Sequence, residues 1–298
     1  MDLIQNPDGK HRLHIWRTGT AFEFSQRFHL YDEWNNIKFA TLKYPDKPPF
    51  LLHLDVRGPI PYADNTFNVV YCNHVIEHLT PDEGLYHVQE LYRVTEPGGI
   101  CRMVVPDLEL SANEYIECLN NVASNRTEDN IRRYKWAVAD LIDQMVRPNS
   151  GGEMWKLLAS GDVDWEQIKR CNGDVFEEIR TGAYFKKLEE KAATDSAPHT
   201  VKRISNDLTT KIKNKFYRYL KTRFGVSPKP YVEQLNERTM WMYDRYSLPE
   251  LIKKGGFGGV HLVSYKTSDI HDWQKYDFDR ADLGDHPLEP SVYAEGVK

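Results

Sequence analysis

Cysteine is scarce in this sequence, and the little there is does not pair up. Cys72, Cys101, Cys118 and Cys171 are all there are. They show no metal-ligand spacing and no dense framework, which excludes a disulfide-stapled scaffold and gives no reason to expect a metal site. Cys72 and Cys101 fall in apolar runs, as small buried fillers would, and the usage suits a reducing, cytoplasmic compartment. Long apolar stretches are missing too. No run approaches the length that spans a bilayer, and the opening residues MDLIQNPDGK lack a signal core. Charge of neither sign dominates, since a net charge of -5 gives no global pull toward nucleic acid or an anionic membrane. With 298 residues, 40% of them hydrophobic, the chain can nevertheless bury one large core or a core with an insertion.

What is present is concentrated in residues 51–107. LLHLDV is a short apolar run ending in Asp55, which predicts a buried parallel strand whose last residue faces a ligand crevice. Asp64-Asn65-Thr66 is turn chemistry, and Val69–Cys72 predicts the next strand. Thr80-Pro81-Asp82-Glu83 sets a capping oxygen, a proline at the first helical position and a carboxylate three residues past the cap, so a helix starts there. Leu85, Val88, Leu91 and Val94 continue it at helical spacing until Pro97-Gly98-Gly99 stops the run before a further strand, Ile100–Val105. Right-handed crossovers put Asp55 and Cys72–His74 along one sheet edge. Arg12–Ile15 and Trp34–Ala40 predict two earlier strands, Val260–Tyr265 and Ser291–Val297 two later ones, and Ser247-Leu248-Pro249-Glu250 a second capping box. From Leu108 to Tyr246 the chain is mostly helical by period and too long for an ordinary connection. Within it, the basic run Lys202–Arg223 carries an apolar stripe and reads as a docked helix with a solvated lysine face, or as a basic amphipathic helix for an anionic membrane or an acidic acceptor.

The reactive-looking side chains sit at the ends of the central strands. His74 and His78 are four apart and share a face if the junction is helical, with Glu77 able to orient either ring. A histidine there suits a general base that deprotonates a hydroxyl; the plainer reading of His78 is a hydrogen-bonded structural residue. Asp107 follows the third strand of this stretch and reads as an acceptor contact, an N-cap, or both.

Three motifs carry a family resemblance: Pro61-Tyr62-Ala63-Asp64-Asn65-Thr66-Phe67-Asn68, then His74-Val75-Ile76-Glu77-His78-Leu79, then Thr95-Glu96-Pro97-Gly98-Gly99. In that order and spacing they resemble the middle of class I S-adenosylmethionine-dependent methyltransferases, in the group with PFxDxSFD, HVLEHL and LxPGG motifs. Trp241-Met242-Tyr243-Asp244 with Ser247-Leu248, Gly256-Phe257 and Ser291–Glu295 is similar to the end of that group. The resemblance implies an α/β, Rossmann-like sheet with a long helical insertion and an antiparallel C-terminal strand. It divides the chain into a cofactor-binding core (1–107), a helical insertion or lid (108–246) and the rest of the core sheet (247–298).

It further implies S-adenosylmethionine as cofactor. Ile15, Trp16, Thr18 and Gly19 would form the turn after the first strand, Asp55 and Val56 would meet the adenine, and Asn73 and His74 would line the site. His74 is then the expected catalytic base, with His78 and Asp107 beside it. The expected reaction is O-methylation of a small-molecule acceptor, a natural product, sugar or lipid precursor, with no nucleic-acid partner and no integral membrane association. Three departures from the family keep a second expectation open, an inactive methyltransferase-like fold that serves as a scaffold. The glycine-rich turn retains only Gly19, Lys38 stands near the position of the ribose-binding acid, and Thr239 replaces a histidine.

Overall fold

Each of the seven expected strands forms, and together they make one mixed sheet. The computed structural model describes residues 3, 6, 8–17, 34–39, 51–146, 152–173, 239–276, 278–279 and 290–298. The strands are β1 (Arg12–Arg17), β2 (Asn35–Phe39), β3 (Leu51–Leu54), β4 (Phe67–Asn73), β5 (Thr95–Pro106), β6 (Gly258–Val263) and β7 (Ser291–Val297). Across the sheet they lie in the order β3-β2-β1-β4-β5-β7-β6. Strands β1 to β5 are parallel, and β7 runs antiparallel to both its neighbours. The chain steps outward from β1 to β3 and then returns to β4 on the other side of β1. The order therefore reverses between β1 and β4, and it is at such a switch point, outside the carboxyl ends of the strands, that open α/β sheets take their ligands.

Alternation along the strands sorts side chains into two cores. Leu13 and Ile15 of β1, Val70 and Cys72 of β4 and Met103 of β5 face a core closed by helices α1 (Pro81–Val94) and α6 (Ser247–Lys254). Val69 and Tyr71 face the opposite side, which an aromatic layer covers: Trp34, Trp273, Tyr276, Phe278 and Tyr293. Their rings meet mostly edge-on, with Trp34 and Tyr276 centroids 5.2 Å apart, an arrangement that adds to the area they bury.

One cation organises that layer. Arg102 on β5 is fully buried, and its guanidinium donates to Asp279 at 2.6 Å and Glu295 at 2.6 Å, and to the carbonyls of Ser264 and Thr267. It lies 4.8 Å from the Trp273 ring centroid, and the Tyr71 hydroxyl donates to the other oxygen of Asp279. The segment 264–279 is thereby tied to the sheet face.

Helix α1 starts as its sequence dictates. The Thr80 hydroxyl accepts from the Glu83 amide, the Glu83 carboxylate accepts from the Thr80 amide, and Pro81 is the first helical residue. The capping box expected at Ser247–Glu250 does not form. Asp244 caps α6 instead, accepting from the amides of Tyr246 and Ser247 while the Ser247 hydroxyl accepts from the Asp244 amide. Glu250 is left to pair with Lys253. The reciprocal bond is the expected kind, moved three residues toward the N-terminus, because Asp244 competes better for the free amides.

The insertion opens with α2 (Leu108–Ser124), α3 (Glu128–Met145), α4 (Gly152–Ser160) and α5 (Trp165–Asn172), packed around Trp136, Met154 and Ile168. The basic run 202–223 lies outside the described residues. The expectation of helix up to Tyr246 fails at 239–244, which form a strap bridged to Asp107 at Tyr243, with a turn at 245–246 before α6.

On the helical side, His87 of α1 is fully buried. Its Nδ1 lies 3.1 Å from the Val56 carbonyl, which can only accept, so the proton sits on Nδ1 and Nε2 faces the Cys72 thiol. Burial pushes the His87 pKa down to about 4. Between pH 6.5 and 4 the unfolded chain binds this proton and the folded chain does not, so stability is complete above pH 6.5 and falls as pH drops toward 4. The expected loss is about 3 kcal/mol, and urea midpoints should show a shallower fall for His87→Gln.

Candidate active site

The link from β4 to α1 builds the centre of the site. Every residue from Tyr71 to Leu79 is buried. β4 ends at Asn73, and His74 then turns the chain with φ +50, its amide donating to the Val104 carbonyl on β5. A short 3-10 turn, Ile76–His78, follows. The junction is not α-helical, so His74 and His78 do not share a helical face as expected; they approach Glu77 from two directions.

Glu77 is the hub. One of its oxygens, Oε1, lies 3.6 Å from His74 Nδ1 and 3.2 Å from His78 Nε2. The other, Oε2, has no hydrogen-bond partner among the described residues. Burial alone would raise the Glu77 pKa, but the imidazoles of His78 and His74 outweigh it and hold the carboxyl well below the usual carboxylate range. An ionised carboxylate can only accept, so both facing nitrogens carry protons. A His74 ring that is neutral with its proton on Nδ1 has its lone pair on Nε2, which lies 3.1 Å from the Ser291 hydroxyl at the start of β7. His78 thus meets Glu77 at hydrogen-bond distance, while His74 meets Glu77 at ion-pair distance and the Ser291 hydroxyl at hydrogen-bond distance.

The strap holds this hub in place. The amides of Met240 and Trp241 both donate to the Glu77 carbonyl, at 2.7 and 3.2 Å, and the Leu108 amide donates to the Tyr243 carbonyl. Tyr243 is buried, with its hydroxyl unpartnered among the described residues. Burial and the nearby Glu77 charge raise its pKa. Gly84 makes room for it, since a Cβ there would come within 3.0 Å of the tyrosine oxygen. Trp241 stays exposed and Arg245 pairs with Glu109 at 2.9 Å. Thr239, one of the three departures, donates its hydroxyl to the Asp143 carbonyl and ties the strap to α3.

The other expected site residues divide between the switch point and elsewhere. Trp16 pairs in register with Asn73 across β1 and β4, at the switch point itself. Asn73 is buried and its Oδ1 has no partner among the described residues. Thr18 and Gly19 lie outside the described residues, as does the Trp16 side chain. Lys38 follows in register beside Trp16 on β2. Ile15 and Val56, expected as cofactor contacts, both have side chains fully buried in the helical core, and the Val56 carbonyl accepts from His87. Asp55 follows β3, where Arg57 forks onto its two oxygens and holds its pKa down.

His74 was expected both as base and as cofactor contact. Its ring reaches over β5 toward β7, away from the switch point. The His78 side chain is 1% exposed, and its Nε2 lies 3.2 Å from Glu77. Asp107 caps α2 through the Glu109 amide at 2.9 Å. It is half-buried, and burial raises its pKa. Ser291, 217 residues from His74, carries no local signal that sequence reading would find. Among the described residues, His261, Asp269 and Glu295 bring metal-ligand atoms within 4.8 Å of one another, but the Glu295 carboxylate is already filled by Arg102, the Ser268 hydroxyl and the Asp269 amide.

Residues 23–103 match the model of a family described as a methyltransferase domain. The match spans residues 23–103 of the chain's 298 and includes β2, β3, β4, α1 and most of β5. Among solved structures it is similar to an S-adenosylmethionine-dependent methyltransferase from Thermotoga maritima, at 10% identity over 97% of this chain and 82% of that one, with a TM-score of 0.36. It is also similar to such a protein from Archaeoglobus fulgidus, at 17% identity over 39% and 60% of the two chains, with a TM-score of 0.27. A third, from Mesorhizobium loti, matches at 10% identity over 36% of this chain, with a TM-score of 0.25; this chain spans 50% of its length. No curated protein matches the chain. No helix among the described residues is long and apolar enough to cross a membrane.

Proposed function

We propose that this domain methylates an oxygen of a small-molecule acceptor, with His74 as the base that takes the acceptor's proton. The observation that supports this reading is the placement of His74, whose Nδ1 faces Glu77 at 3.6 Å and whose Nε2 lies 3.1 Å from the Ser291 hydroxyl at the sheet edge. The carboxyl edge is divided in a way that suits two reactants. Asp55 and Asn73 stand three strand spacings apart, about 14 Å, on the β3-to-β4 side, and would hold S-adenosylmethionine across the ends of β1 and β2. The buried Asn73 Oδ1, without a partner among the described residues, fits a cofactor that carries an ammonium group. When bound, S-adenosylmethionine supplies a methyl group already activated by its sulfonium.

The protein's own work is alignment, exclusion of water and proton removal. His74 Nε2 accepts the hydroxyl proton as the oxygen becomes nucleophilic, and Glu77 stabilises the imidazolium that forms. His78 keeps Glu77 in place from the far side. In this reading, residues 1–107 hold the donor, 247–298 complete the sheet, and the insertion with its strap encloses the acceptor side.

Binding of S-adenosylhomocysteine tests the reading without an identified acceptor. At 100 times its dissociation constant it should stabilise the fold by about 2.7 kcal/mol in a thermal shift. Asp55→Ala should weaken that binding by about tenfold, the loss of one charge-assisted hydrogen bond. No shift with either the product or S-adenosylmethionine would point instead to a scaffold, which the single glycine of the first turn makes the serious competitor.

A further inference from the structure

We propose that Ser291 is a positioning residue for His74, aiming the Nε2 lone pair toward the β5–β7 end of the sheet edge and so fixing where the acceptor hydroxyl must enter. The inference rests on His74 being the base. Glu77 favours a proton on His74 Nδ1, the nitrogen that faces it at 3.6 Å. The 3.1 Å contact from Nε2 to the Ser291 hydroxyl supplies the second anchor. It also crosses β5, which lies between β4 and β7 in the sheet.

Ser291 is held rigidly for this task. It pairs in register with Pro106, the last residue of β5, and β7 is antiparallel, so its first residue falls at the same edge where β4 and β5 end. Ser291 is partly exposed, whereas His74 is 8% exposed, so the approach to the base from solvent passes beside this hydroxyl. The acceptor side of the reaction is thereby placed between β5 and β7, opposite the switch point where Trp16 and Asn73 pair.

The test compares wild type, Ser291→Ala and Ser291→Thr, all as the full chain. Nitrogen-15 labelling of histidine reports the His74 ring directly, independent of turnover. Wild type should show the Nδ1–H tautomer with Nε2 as a hydrogen-bonded acceptor. Ser291→Ala should move the Nε2 resonance toward that of a bare acceptor and lower kcat on the order of tenfold, with the KM for S-adenosylmethionine unchanged. Ser291→Thr, which keeps the hydroxyl, should restore both. An unchanged Nε2 resonance and kcat in Ser291→Ala would overturn the proposal, and so would failure of the threonine to rescue. Covalent labelling of Ser291 by a fluorophosphonate would overturn it as well, because it would make the serine a nucleophile. If wild type shows the Nε2 response but no shift with S-adenosylhomocysteine, the hold of Ser291 on His74 stands and the methyl-transfer reading fails.

Discussion

His74→Asn is expected to lower kcat by about 10²- to 10⁴-fold, the usual contribution of a positioned base, while S-adenosylhomocysteine binds as in wild type. Asparagine is the informative replacement. His74 sits at φ +50, a left-handed conformation that asparagine tolerates better than alanine does, so the chain turn into the 3-10 segment survives. The substituted amide cannot accept the proton, and Glu77 still has His78 as a partner at 3.2 Å. Initial rates of S-adenosylhomocysteine release, with a hydroxyl acceptor that wild type turns over, give the measurement. A variant that turns over like wild type would remove His74 as the base and leave the cluster a packing device.

Arg102→Met should cost about 3–5 kcal/mol of stability. The side chain removed is fully buried and answers two buried carboxylates, Asp279 and Glu295, at 2.6 Å each. Losing it leaves two uncompensated charges beneath the aromatic layer. Glu295 keeps the Ser268 hydroxyl and the Asp269 amide, and Asp279 keeps the Tyr71 hydroxyl, which soften the loss without neutralising the charge. Urea unfolding monitored by tryptophan fluorescence reads the effect at its source, because the Trp273 ring lies against the guanidinium. Adding Asp279→Asn and Glu295→Gln to Arg102→Met should recover much of the stability, since no buried charge is then left unpaired. A loss under about 1 kcal/mol for Arg102→Met alone, the size expected of an exposed pair, would mean that the network does not anchor segment 264–279.

The sequence was most legible where the physics is local. The Thr80–Glu83 capping box, the proline at the first turn of α1 and the seven strands all depend on neighbours within a few residues, and all form. Where local signals compete, reading failed by small steps: Asp244 took the cap assigned to Ser247, and the expected helix between 239 and 244 became a strap because its amides bond across to Glu77. The site was legible in its parts but not in its geometry. His74, Glu77 and His78 stood out as a cluster, yet nothing in their spacing says that His74 turns with positive φ and reaches toward β7.

By itself, then, the sequence determined the elements, the sheet edge that carries the chemistry, and the residue types gathered there, because caps, turns and alternating apolar runs are set by covalent neighbours. The tertiary structure alone decided three things: that an aromatic layer pinned by Arg102 covers one face, that Glu77 lies between two imidazoles, and that Ser291 meets His74 across 217 residues of chain. Those contacts join segments far apart in sequence, so only the packing of the folded sheet brings their charges and lone pairs within reach of one another.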